Sequence, residues 1–282
     1  MHVPIFFVLS GYLFKSRQYK RLFSGLNNNI LLPYAATAVI IIIISWFAFH
    51  FPSIREIQGI GNGHYALLAA VYGVGTNTQL GGTNGIMVPA IGAIWFLLAM
   101  FVGNVIFNSI LLLIKRWKHQ MIGLYVISII LAIVGFVTAR IVLLPWSINA
   151  ALISQIFYTF GYMLRKYDIV ENWKIWQLVL GIALWSASVW SGFFYLNVAY
   201  ANNIFLAIVG ACGASFVLII VSKGLAAYIH HLGWLTLFGR ESLIVMCVHV
   251  IDLDTANYKF NPNKPGIFQW QSVDDVFLMV VD

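Results

Sequence analysis

The sequence predicts an all-α fold, a polytopic transmembrane bundle with about eight helices crossing or entering the bilayer. Three observations lead there. Of 282 residues, 61% are hydrophobic and 9% charged, and the mean hydropathy is +0.88; water-soluble domains carry about 25% charged residues. The apolar residues gather into runs, most of them long enough to span hydrocarbon about 30 Å thick at 1.5 Å per residue. Lys and Arg collect in alternate connections between those runs, the pattern of cytoplasmic loops.

The first run, 3–14, is too short to cross without tilt or a partner. It is followed by 30–49, 91–114, 121–144, 147–164, 175–195, 202–222 and 235–251. Between the second and third lies 52–90, rich in Gly and Asn (GIGNGHY, GTNTQLGGTNG), too polar to span and too long for a simple turn. Within it, Ala66–Gly75 is expected to dip into the interface as a short re-entrant piece. The 21 Phe, 13 Tyr and 10 Trp suit a chain that meets lipid, because Trp and Tyr favour the membrane–water interfaces. Trp95, heading the third run, is expected to anchor it beside the 52–90 connection.

Charge then orients the bundle. One set of connections holds Lys15, Arg17, Lys20 and Arg21; then Lys115, Arg116 and Lys118; then Arg165, Lys166 and Lys174; then Lys223 and Arg240. The intervening connections carry almost no positive charge, so the basic set is expected in the cytoplasm and the Gly/Asn stretch outside. The net charge of +7 is accounted for by these loops. No basic run is long enough to track a phosphate backbone, so nucleic acid is not an expected partner, whereas membrane lipids are. Cys212 and Cys247 fall inside apolar runs and read as small buried apolar groups. In this orientation Met1 lies outside with membrane starting at once, and DVFLMVVD (Asp275–Asp282) begins an apolar run. The expectation is a single domain over 1–282, incomplete at both ends, with at least one helix before Met1 and another after Asp282.

A polar or ionisable group at membrane depth costs a few kcal/mol and needs a reason. Arg140, in GFVTARIVLLPWS, is either a side chain snorkelling to the outer headgroups or an inward cation for a carboxylate, phosphate or sugar hydroxyl. His249 lies near the outer end of the last run and is either structural or catalytic. Asn104, Asn108, Asn149 and Gln155 read as interhelical hydrogen-bonding groups. His2, His50 and His64 fall near the same outer face. Nucleophile elbow, Walker loop, HExxH and paired-Cys motifs are all missing from the sequence, and no metal is expected. From the residues themselves the reading ends at a membrane bundle with a polar outer cavity.

Particular strings go further. HVPIFFVLSGYLFKSR at 2–17 resembles the "FHMPLFFFLSGYLF" segment of the acyltransferase type 3 family of integral membrane acyltransferases. ILLPY at 30–34, AIWFLLAMF at 93–101 and LFGRESLIVMCVH at 237–249 are similar to its "RLLIPY", "LWFLPALF" and "IGKNSLYIYLLH" segments, in the same order. LPWSINAALISQIFYTFGYMLRK at 144–166 is similar to a segment of the fucose 4-O-acetylase-like branch of sugar O-acetyltransferases. The resemblance covers nearly the whole chain and implies about ten membrane helices in an intact member.

It also implies transfer of an acyl group, usually acetyl, from acetyl-CoA as co-substrate to a carbohydrate or lipid-linked glycan hydroxyl, with no resident cofactor, in the bacterial cytoplasmic membrane. A histidine would take the hydroxyl proton or carry the acyl group, and a cation or amide would steady the oxyanion. His249, Arg140 and His2 are the candidates here. The family histidine commonly regarded as catalytic would lie before Met1, and His2 matches a different histidine. Ser10, Trp95 and Asn149, within the matching strings, are the expected substrate contacts. Arg17, Lys20 and Arg21 are the expected contacts to the CoA phosphates, with Gly25–Asn29 standing where the family often has Arg or Lys. Two further readings remain: an inactive truncated relative, and a transporter of polar or lipid-linked sugars, which the lack of an internal repeat disfavours.

Overall fold

A computed structural model describes residues 3–51, 63–80, 85–228, 239 and 242–255, and the chain there is mostly helical. Helix α1 (Val3–Leu13) leads through an irregular stretch, 14–18, to α2 (Tyr19–Leu26). A π-helical turn at Asn27–Leu31 joins α2 to α3 (Leu32–His50), so Tyr19–His50 is one helical run of 32 residues. The expected start at residue 30 is therefore too late. Leu22, Leu26 and Ile30, four apart, are buried while Lys20 and Arg21 are exposed, so α2 is held by one apolar stripe. The π turn lies just ahead of Pro33, which has no amide hydrogen to close an ordinary helical bond.

Helix α4 (Gly63–Tyr72) occupies most of the expected re-entrant piece, and strands β1 (Thr78–Leu80) and β2 (Ile86–Val88) pair antiparallel with Thr78 opposite Val88. Then come α5 (Trp95–Ile114), α6 (Gln120–Ala139), α7 (Ile148–Ile153), α8 (Gln155–Lys166) and α9 (Ile175–Trp190). A hairpin of β3 (Phe194–Tyr195) and β4 (Tyr200–Ala201) precedes α10 (Ile204–Tyr228) and α11 (Ser242–Thr255). Among the described residues four runs are long and apolar enough to cross a membrane: Tyr19–His50, Gly92–Ile114, Gln120–Ala139 and Ile204–Ala226. Val3–Leu13 and Ile175–Trp190 are apolar but shorter.

Helix α6 stops at Ala139, earlier than its hydropathy suggests, because 140–147 turn a corner into α7. Trp146 and Ser147 there have φ of 57° and 51°, a conformation unfavourable for residues with a β-carbon. Hydrogen bonds hold it. Ser147 Oγ donates to Gly73 O at 2.8 Å and Trp146 Nε1 to Val71 O at 3.1 Å. Asn149 Oδ1 accepts from Leu144 N at 2.6 Å, and its Nδ2 donates to Thr138 Oγ1 at 2.9 Å.

Two glycine crossings set the closest packing. Gly11 of α1 faces the Tyr158 carbonyl of α8, and Gly161 of α8 faces the Val8 carbonyl of α1, so neither position has room for a β-carbon. On α9 and α10, Gly181 meets Gly213 and Ser188 meets Gly210. Small residues at such crossings let helix backbones touch where lipid supplies no hydrophobic drive to association. Helix α5 runs through the core, with Leu97, Leu98, Ala99, Phe107 and Asn108 almost fully buried. The outward stripe of α6, Ile122, Val126, Ile129, Ile133 and Val137, is exposed, as a lipid-facing surface requires.

Candidate functional site

Hydrogen bonds sort the connections into two ends. At one, Arg165 Nη1 of α8 donates to Tyr12 O of α1, Tyr19 OH donates to Ser109 Oγ of α5 at 2.9 Å, and Lys223 pairs with Glu171. The basic connections after α1 and α8 and at the end of α10 are thus tied into the bundle at points that include Tyr12, Ser109 and Glu171. At the other, the α4 terminus is laced to the α6–α7 corner by Trp146 and Ser147 and by Tyr72 OH, which donates to Leu143 O at 2.6 Å. Asn197 Nδ2 adds a bond to Gly75 O at 3.3 Å.

The basic end contains a cavity of about 490 Å³ lined by Ser16, Arg17, Gln18 and Arg21. Its floor follows from local sequence. The chain leaves α1 at Leu13, runs irregularly over 14–18, and starts α2 with Gln18 O accepting from Arg21 N at 3.1 Å and Leu22 N at 3.0 Å. That first turn places Arg17 and Arg21 on the same opening. Both guanidinium groups are exposed, and among the described residues neither is ion-paired. Two unpaired planar cations beside a hydroxyl and a carboxamide can take an anion bearing several oxygens, such as a phosphate, through charge-assisted hydrogen bonds. Lys20, expected beside them, is exposed in the first turn of α2 and is outside the lining.

A polar seam leads inward from this end. Asn108, fully buried on α5, bonds both backbone groups of Arg17: its Oδ1 accepts from Arg17 N and its Nδ2 donates to Arg17 O, each at 3.0 Å. One turn further in, Asn104 Oδ1 accepts from Ser10 Oγ of α1 at 3.2 Å, and its Nδ2 donates to Tyr158 OH of α8 at 2.9 Å. Tyr158 is completely buried, stacked on Phe107 with ring centroids 5.3 Å apart. Gln155, also fully buried on α8, donates to Ala151 O at 2.8 Å and Gly103 O at 3.3 Å. Its Oε1 has no partner among the described residues. The Ser128–Thr159 hydroxyl pair, 2.6 Å apart, lies between α6 and α8.

The remaining expected residues are scattered. Ser10 belongs to the seam. Trp95 is 7% exposed and packs against Gly75 at the opposite end. Asn149 is buried with its carboxamide committed to the α6–α7 corner and opens on no cavity described here. Arg140, at the C-terminal cap of α6, and His249, in α11, are both exposed. Helix α6 packs on α5, α7 and α8, whereas α11 packs on α3 and the turn at Gly92–Ile94, so the two residues sit on elements with different neighbours. All four described histidines, His50, His64, His119 and His249, are exposed. His2 lies outside the described residues. Sequence reasoning passed over Ser16, Gln18 and Tyr158; an aromatic inside FYTFGY carries no mark that distinguishes it from a packing residue.

Among the described residues no group of three or more His, Cys, Asp and Glu comes together to hold a metal ion. No curated protein and no solved structure matches this sequence. The acyltransferase domain, by contrast, matches over residues 1–281, essentially the whole chain. With its apolar helices long enough to cross a bilayer, the chain belongs to the acyltransferase type 3 family of integral membrane proteins.

Proposed function

We propose that this protein is a sugar O-acetyltransferase of the fucose 4-O-acetylase-like branch, moving acetyl from acetyl-CoA to a hydroxyl of a surface or lipid-linked carbohydrate. The observation that carries the reading is the cavity lined by Ser16, Arg17, Gln18 and Arg21 in a chain of this family. CoA is rich in phosphate, and two unpaired guanidiniums at the basic end supply the matching charge, with Lys20 nearby to raise the local potential. The positive-inside rule supports a cytoplasmic location for that end, where acetyl-CoA is made, and the family resemblance supports a bacterial cytoplasmic membrane. About eight membrane segments, counting α1, α7–α8, α9 and α11 with the four long runs, follow from the same orientation. His249, His2 and Arg140 are the groups to replace first for the proton transfer and the oxyanion.

A second reading, a non-catalytic member of the family, is favoured by one observation: every described histidine is exposed, so among the described residues no histidine is buried beside the polar seam. One experiment separates them. Membranes containing the chain are supplied with labelled acetyl-CoA and a glycan extract, beside R17A and R21A. Transfer that falls about tenfold or more in each variant, through a raised acetyl-CoA KM, supports the proposal. Transfer equal to that of empty membranes supports the second reading. Robust transfer indifferent to both arginines moves donor binding elsewhere.

A further inference from the structure

We propose that Asn108 is a positioning residue for anion binding at the basic end, acting through the main chain of Arg17. The inference rests on the donor site proposed above and adds how that site is held. The Asn108 carboxamide mimics a peptide group: it accepts from Arg17 N and donates to Arg17 O, both at 3.0 Å. Two bonds to one residue fix the peptide planes on either side of the Arg17 α-carbon. The stretch that receives them, 14–18, lies outside any helix, so its path depends on such side-chain struts. The next residue of α5 adds a second: Ser109 Oγ accepts from Tyr19 OH at 2.9 Å and itself donates to Val105 O at 2.8 Å. Helix α5 therefore grips the chain on both sides of Gln18.

Burial separates the strut from the site it serves. Asn108 is 0% exposed, whereas the Arg17 side chain is exposed and lines the cavity. The carboxamide cannot touch a ligand in that cavity through its own occupied atoms, but it determines where the guanidinium starts. Without it, the Arg17 backbone would be ordered only when the ligand binds, and that entropy would be subtracted from affinity. A merely structural Asn108 would act on stability and leave the affinity of the folded protein alone.

The test is calorimetric titration of the full-length chain in detergent with coenzyme A. The proteins are wild type, N108A, R17A and R17A/N108A. R17A should weaken binding about tenfold, the value of one charge-assisted contact. N108A should weaken it about three- to fivefold in the wild-type background and by clearly less in R17A, where the strut has no Arg17 guanidinium left to position. An equal loss in both backgrounds, or no loss in wild type, overturns the inference while leaving the cavity as the donor site. CoA binding unaffected by R17A overturns the donor site and the inference together. Should N108A not fold, Tyr19→Phe carries the same test through the second strut on an exposed residue, with about a twofold weakening confined to the Arg17 background. A Y19F effect of the same size in R17A refutes the strut.

Discussion

Replacing Gly161 by Ala tests whether backbone contact between α1 and α8 organises the bundle. A β-carbon there would lie 2.8 Å from Tyr12 N and closer still to Val8 O. Both are main-chain atoms and cannot rotate aside. Restoring a normal separation of about 3.4 Å moves α1 away by roughly 1 Å or more. The Ser10–Asn104 bond, already 3.2 Å long, would then be broken, and Phe7, which packs on Tyr158 with centroids 5.8 Å apart, would loosen. Overpacking costs about 1–3 kcal/mol, and the lost hydrogen bond about 1 more, so roughly 3 kcal/mol is at stake. For a domain of 150–250 residues that corresponds to a fall in Tm of roughly 6–12 °C. Cys212 and Cys247, largely withdrawn from solvent, provide the readout: a thiol-reactive fluorophore reports their exposure on heating in detergent. Gly25→Ala is the control, since nothing lies within 4 Å of a β-carbon there, and it should leave Tm unchanged or raise it slightly. A G161A protein melting within about 2 °C of wild type would refute backbone contact as the organising feature.

Other expectations concern the second crossing and the corner. Gly210→Ala should lower Tm because its β-carbon meets Ser188 Oγ at 2.5 Å, and adding Ser188→Gly should restore much of the loss by moving the small residue across the seam. At the corner, Ser147→Ala should cost about 1–2 kcal/mol by losing the bond to Gly73 O while keeping the strained φ. Ser147→Gly should cost less, since Gly adopts that φ freely, and thermal melts of the pair reveal the order. Asn149→Leu should be worse than either, costing about 2–3 kcal/mol, because it strands Leu144 N in a half-buried corner and removes the bond to Thr138 Oγ1, which keeps its own bond to Val134 O. Loss of the same size in all three would argue against the corner geometry.

Hydropathy located the helices well where long apolar runs coincide with long helices, as at α5 and α10. It failed where polar residues are paid for by tertiary contacts. Lys20, Arg21 and Asn27–Asn29 kept α2 and the π turn out of the expected run, yet Leu22, Leu26 and Ile30 bury one stripe and make the helix continuous. Conversely, Ile141–Leu144 are apolar but not helical, because the corner needs Pro145 and two left-handed residues. The basic pocket was half legible: the charge pattern singled out Arg17 and Arg21, but Ser16 and Gln18 join them only through the turn that starts α2. Asn104 and Asn108 were recognisable as hydrogen-bonding amides. That one spans two helices and the other grips a loop depends on which residues arrive opposite them, some 90 positions away.

The α1–α8 crossing also has a history in time. Helix α1 ends at Leu13, while its main partner begins at Gln155, and α10, which it also touches, begins at Ile204. About 150 residues must be made before the partner glycine is complete, which at about 5–20 residues per second is roughly 7–30 s. Throughout that interval an 11-residue apolar helix, too short to be secure in a bilayer by itself, has no Gly161 to meet. Until Gly161 arrives, the contact open to α1 is the one from α5, whose Asn104 bonds Ser10 Oγ, so the Gly11 face closes late in synthesis and a chain cut short before Gly161 leaves that face without its glycine partner.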